Sequence, residues 1–136
     1  SVGIFVNRGY TQTSEVLLLV DNEDDLFLFN YARTRLGEQS MTIRICFIHE
    51  QVNKHLESRI MTEFVQHDPV KFIMDKPLTS NPLIKNKECL LVISYVTCEK
   101  VAKSRDLFSK LPSLLIIRPE TIENEELKMV ITQSKI

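Results

Sequence analysis

Val16-Leu17-Leu18-Leu19-Val20 is an unbroken apolar run, closed by the acidic stretch Asp21-Asn22-Glu23-Asp24-Asp25. Five apolar residues without polar alternation predict a strand buried on both faces, as in the middle of a parallel sheet. A helix is predicted to follow. Asp21 or Asn22 can accept from its first free amides, and Glu23, Asp24 and Asp25 place negative charge at the positive end of its dipole. Leu26, Phe29, Tyr31, Ala32 and Leu36 supply the apolar stripe. Arg33 and Arg35 suit the C-terminal end, and Gly37 gives a left-handed stop.

The pattern then repeats. Met41 to Ile48 is a second strand, alternating at first and then fully apolar. Val52, Leu56, Ile60 and Phe64 recur every four residues, predicting a helix from Gln51 to Gln66, stopped by His67-Asp68-Pro69. Val70 to Met74 is a third strand. Asp75 to Asn86 has no periodicity and reads as a loop, the most mobile part of the domain. Cys89 to Ile93 is a fourth buried strand, followed by a helix over Glu99 to Leu111 with Val101, Leu107, Phe108 and Leu111 as core contacts. Ser113 to Ile117 is a fifth strand, closed by Arg118-Pro119. Helix formers between Glu123 and Ile131 predict a last helix in the tail.

Counted from Val16, this succession implies an α/β fold: a Rossmann-like parallel sheet, order 3-2-1-4-5, with helices on both faces when the crossovers are right-handed. Val2 to Val6 is a further short strand, ended by Asn7-Arg8-Gly9, with no helix after it to cross back over the sheet. It is expected at the sheet edge, antiparallel to Leu114-Ile117, within the chain or across a dimer.

Composition narrows the function. The 136 residues suit a single core, and 17 basic against 18 acidic residues leave a net charge of −1. No basic stripe is available for nucleic-acid phosphates, so no nucleic-acid partner is expected. No apolar run approaches the ~20 residues of a membrane span, and no signal peptide is visible. Cys46, Cys89 and Cys98 form no Cys-x-x-Cys pair and read as buried, reduced thiols of a cytosolic protein. The start at Ser1, in a strand-like stretch, reads as a piece of a longer protein.

The opening Ser1-Val2-Gly3-Ile4-Phe5-Val6-Asn7-Arg8-Gly9 resembles a segment in the cytosolic C-terminal region of monovalent cation/proton antiporters, the type that includes the plant cation/proton exchangers. In that family such a stretch links two domains resembling universal stress proteins, and the second begins with a strand and an Asp-Asp turn. Asp24-Asp25 and the Tyr31-Ala32-Arg33 helix are similar to it. The resemblance covers Ser1 to Ile48; Asn7 stands where the family usually has Asp, and the turn lacks the family's glycines. It implies that residues 1–9 are the terminal strand or linker of a preceding domain and that 15–136 is a universal-stress-protein-like domain. The implied function is regulation of a Na+ or K+/proton antiporter, on the cytoplasmic face of the inner membrane. The implied partner is the transmembrane transport domain of the same polypeptide, with a homodimer as a further arrangement and any small-molecule effector unidentified.

The acidic turn has a plain reading, a capped helix start, and a functional one, ligand or ion sensing. The candidate ligand-binding residues are Asp21, Asn22, Asp24, Asp25, Ser94 and Thr97. The resemblance implies that Asp21 holds the position at which universal stress proteins contact adenine and ribose. Their phosphate-binding loop is glycine-rich because only Gly lets backbone amides approach closely. This chain has only Gly3, Gly9 and Gly37, none after the fourth strand. Nucleotide binding of that kind, the stand-alone sensor alternative, is therefore not expected.

The other alternative is a phospho-receiver-like signalling domain. Clustered carboxylates at Asp21 to Asp24 would hold Mg2+ through oxygen. Asp75 would be the phosphoacceptor, Thr97 the switch hydroxyl, and Arg118-Pro119 would replace a Lys-Pro pair. An Arg suits that role poorly, since the Lys acts as a compact point charge. His49, His55 and His67 have no metal-ligand spacing, although His49 ends a strand and could line the ligand edge. No Gly-x-Ser-x-Gly elbow is present. No cofactor, metal or enzymatic activity is expected.

Overall fold

The six strands occupy the apolar runs. The computed structural model describes residues 2–11, 15–35, 42–66 and 71–118. Its strands are β1 Val2–Val6, β2 Val16–Val20, β3 Thr42–Phe47, β4 Lys71–Met74, β5 Leu90–Ser94 and β6 Ser113–Arg118. They form one sheet in the order β1-β6-β5-β2-β3-β4. The order 3-2-1-4-5 expected from the sequence counted five parallel strands from Val16. With Val2–Val6 included, the sheet has six strands and is mixed, because β1 runs antiparallel to β6. The other four pairings are parallel.

β2 lies centrally, between β3 and β5, and is fully buried along its length. Val16, Leu18 and Val20 face a core shared with Leu28, Phe29, Ala32, Leu56 and Ile60. Leu17 and Leu19 face the opposite core, with Cys46, Leu91, Ile93, Val101 and Leu111. Alternation of side chains along a strand thus sends a purely apolar run to two layers at once. On the first face Phe29 stacks on Phe64, with ring centroids 4.3 Å apart, and meets Phe72 edge-on. The helix α1, Phe27–Arg35, and the helix α2, Lys54–Ile60, cover that face. The helices α3, Tyr95–Ala102, and α4, Arg105–Lys110, carry residues of the second core.

Three helical expectations and one loop are corrected. Asn22 caps a 3-10 turn over Glu23–Asp25, and α1 begins only at Phe27, because the Asp25 side chain turns into the protein. The predicted end of that helix at Leu36-Gly37 lies outside the described residues. The second helix starts at Lys54, where Asn53 accepts from the amides of His55 and Leu56, and it passes into a π turn over Met61–Val65. Its predicted stop at residues 67–69 is not among the described residues. The helix expected over Glu99 to Leu111 is two helices: α3 starts directly after β5 with Ser94 as its cap, and Ser104 caps α4. The segment from Asp75 to Asn86 holds two 3-10 turns, Leu78–Ser80 and Pro82–Lys85. It is tied down by buried Leu78 and by buried Asn81, whose Nδ2 donates to the Lys76 carbonyl at 2.9 Å.

β1 pairs with β6 from Val2↔Arg118 to Val6↔Leu114, the antiparallel edge pairing that the sequence predicts for Val2–Val6. Arg8 fastens the strand's end. Its Nη1 donates to the carbonyls of Phe108 and Leu111, both at 2.9 Å, and its guanidinium lies 5.1 Å from the Phe108 ring centroid. Its backbone amide donates to Ser113 Oγ at 2.7 Å. Among the described residues no helix is long and apolar enough to cross a membrane. The predicted tail helix lies outside the described residues.

Candidate functional site

β2 and β5 are neighbours whose following helices leave to opposite faces of the sheet, α1 to one and α3 to the other. The gap between their carboxyl ends is a topological switch point, where open α/β sheets hold ligands. Val20 ends β2, and Asp21 to Asp25 follow; Ser94 ends β5, and Thr97 lies in the first turn of α3. The fold therefore gathers the predicted residues Asp21, Asn22, Asp24, Asp25, Ser94 and Thr97 at one place.

Asp25 is the centre of this group. It is 2% exposed, and its carboxylate is surrounded by donors of the chain itself. Ser94 Oγ donates to Oδ1 at 2.6 Å, and Thr97 Oγ1 lies 3.0 and 2.9 Å from Oδ1 and Oδ2. The Asp21 backbone amide donates to Oδ2 at 2.7 Å. Ser94 Oγ in turn accepts from the Thr97 amide at 3.1 Å, capping α3. A carboxylate here profits twice, from charge-assisted hydrogen bonds and from the positive end of the α3 dipole. It also fills the place at which a bound anion would meet this helix start. No residue intervenes between β5 and α3, so no loop cradles a phosphate. Asp25, expected to place its charge at the start of the helix that follows β2, is instead buried and links that turn to the start of α3.

Asp21 has a different setting. Its carboxylate accepts from Lys100 Nζ at 2.9 Å and lies 3.8 Å from His49 Nε2. The hydrogen bond to Asp21 and its charge raise the Lys100 ammonium above its ordinary pKa. Asp21, Lys100 and His49 line a shallow hollow of about 310 Å3 at the carboxyl edge. Asn22 is spent on its own turn, its Oδ1 accepting from the Asp24 amide at 2.9 Å. Asp24 is exposed. Lys100 escaped the sequence reading, although its spacing of three from Thr97 sets both on one helix face.

No protein-family model, curated protein or solved structure matches this chain. The chemistry of the site thus rests on its own geometry.

The residues assigned to a phospho-receiver do not assemble. A receiver of the 2-1-3-4-5 order places its third strand beside the first. Here β4, which precedes Asp75, is the edge strand, separated from β2 by β3. Asp75 instead lies 3.6 Å from Arg44 Nη1 and takes a backbone bond to Ile45. Arg118 stacks on Tyr95, 4.4 Å from the ring centroid, not on the acidic turn.

His55 lies 3.9 Å from Glu23 and is exposed; His67 lies outside the described residues. Among the described residues no three His, Cys, Asp or Glu side chains meet as a metal site. The thiols of Cys46, Cys89 and Cys98 are free and buried. Burial pushes the first two up to about 12, which removes the thiolate that nucleophilic or redox chemistry requires.

Proposed function

We propose that this chain is a non-catalytic regulatory domain of a monovalent cation (Na+ or K+)/proton antiporter, on the cytoplasmic face of the membrane, with a Rossmann-like sheet of the universal-stress-protein kind. The observation that carries the reading is the β1–β6 register, Val2↔Arg118 to Val6↔Leu114. Val2–Val6, within the opening stretch of the resemblance, joins the sheet as an antiparallel strand on the last strand of the parallel series. That is the arrangement expected of the terminal strand of a preceding domain laid against its successor.

The switch point supports regulation over catalysis. Asp25 is committed to Ser94 and Thr97, so it joins the β2 and β5 ends into one block. A domain of this kind acts on a transporter only through contacts that differ between transport states. An effector would meet Asp21, His49 and Lys100, the charged groups beside Asp25 that line the outer hollow.

The test is the reading frame upstream of residue 1. About a dozen apolar segments of ~20 residues there agree with the proposal. A frame without them, adjoining a histidine kinase, would return the receiver reading and sink this one.

A further inference from the structure

A concavity larger than the Asp21 hollow lies away from the switch point. It is a groove of about 810 Å3 at the opposite, amino edge of the parallel strands, beside Leu111-Pro112 before β6 and Lys87 before β5. Twelve residues line it; Arg8, Lys85, Lys87 and Lys110 are basic and none is acidic. In a chain with 18 acidic and 17 basic residues, this is a local segregation of charge. Lys110 has Asp106 at 3.0 Å, outside the lining. Lys85 and Lys87 meet no described acidic side chain within salt-bridge distance.

The rest of the lining mixes polar Thr79, Asn81 and Ser109 with an apolar portion in which Ile84 and Leu107 are half-buried at the surface. Arg8 is held in place by its two carbonyl bonds and its packing on Phe108, so one cation at the groove is preorganised. Fixed positive charge beside an apolar wall portion suits an occupant with both an anionic group and an apolar body. The volume is that of a small-molecule site, not of a protein interface.

We propose that this groove binds a small amphipathic anion: an apolar body carrying one carboxylate, phosphate or sulfonate group. The apolar body packs on Ile84 and Leu107, and the anionic group meets Lys85, Lys87 and Arg8. The site shares Leu107 with the rim of the Asp21 hollow but none of that hollow's charged groups, and it does not depend on the antiporter reading.

The probe is anilinonaphthalene sulfonate, titrated into the full chain and followed by fluorescence and by backbone amide NMR shifts. The uncharged phenylnaphthylamine and inorganic phosphate serve as half-ligands. One saturable site is expected, with shifts at Ile84, Lys85, Lys87 and Lys110, which line the groove and not the Asp21 hollow. The K85Q/K87Q variant, altered only at exposed side chains, should weaken binding by about tenfold or more. Each half-ligand should bind far more weakly. Equal binding by K85Q/K87Q, shifts centred on Asp21 and Lys100, or no saturable site would overturn the proposal. Phosphate producing the same shifts as the sulfonate would reduce the groove to a general anion patch and overturn it too.

Discussion

The Thr97 hydroxyl oxygen lies 3.0 and 2.9 Å from the two carboxylate oxygens of Asp25, a contact across 72 residues of chain. With Ser94 at 2.6 Å, it ties the turn that enters α1 to the start of α3. Removing the carboxylate strands two hydroxyls and the Asp21 amide in a dry setting. Asp25→Ala is expected to cost about 3 kcal/mol of stability, and Asp25→Asn about half of that. Asp21→Asn should cost under about 1 kcal/mol, because its partner Lys100 is half exposed. Urea unfolding followed by circular dichroism measures all three. Equal losses for Asp21 and Asp25 would contradict the central role given to Asp25.

The same contact bears on nucleotides. Because Asp25 stands at the α3 N-terminus and no glycine loop follows β5, a phosphate would meet a carboxylate in place of free amides. Calorimetry with ATP and AMP is therefore expected to show no saturable heat at millimolar ligand. Acetyl phosphate with Mg2+ should leave the protein's mass unchanged. Micromolar ATP binding, or an adduct on Asp75, would refute this view of the site.

The strands were legible because an apolar run such as Val16–Val20 has few other ways to leave water, and its neighbours' spacing set the crossovers. The edge position of β1 followed from the missing crossover helix. The helix starts were harder. Glu23, Asp24 and Asp25 are equivalent acids in the sequence, and only the 3-10 turn decides that Asp25 faces inward. The Ser94 cap of α3 was present as Ser94 and Thr97 spaced by three, yet the apolar period seen from Val101 onward placed the helix start too late. The break before α4 was signalled by Ser104, a cap residue inside what read as one continuous helix. The basic groove joins residues from three separate segments, which no local pattern reveals.

The thiols give a pH dependence. Cys46 and Cys89 are raised from 9.0 to about 12, chiefly by burial. Below pH 9 both are protonated in the folded and the unfolded chain, so they contribute no slope. Between pH 9 and about 12 the unfolded thiols ionise while the folded ones stay neutral, so stability falls as pH rises. The slope approaches about 1.4 kcal/mol per pH unit for each thiol. Denaturation series across this range should show that limb, and the C46A/C89A variant should flatten it even where it lowers stability at neutral pH. An unchanged limb in the variant would contradict the assignment.

β1 carries Ile4 and Phe5 about half exposed at the sheet edge, and its pairing covers the backbone of β6. Deleting residues 1–7 uncovers β6 and creates a new open edge. The melting temperature is expected to drop by at least about 5 °C, with lower solubility. A truncated chain that melts and dissolves like the parent would show that the β1–β6 pairing contributes little.

The regulatory reading is tested most directly by cation/proton exchange in inverted membrane vesicles carrying the full reading frame. A second set carries the same frame with residues 15–136 removed. The expected result is Na+- or K+-dependent proton movement in both, with its pH or cation dependence shifted by the deletion. Vesicles in which neither form moves protons in response to either cation, despite normal insertion, would contradict the assignment of this domain to an antiporter.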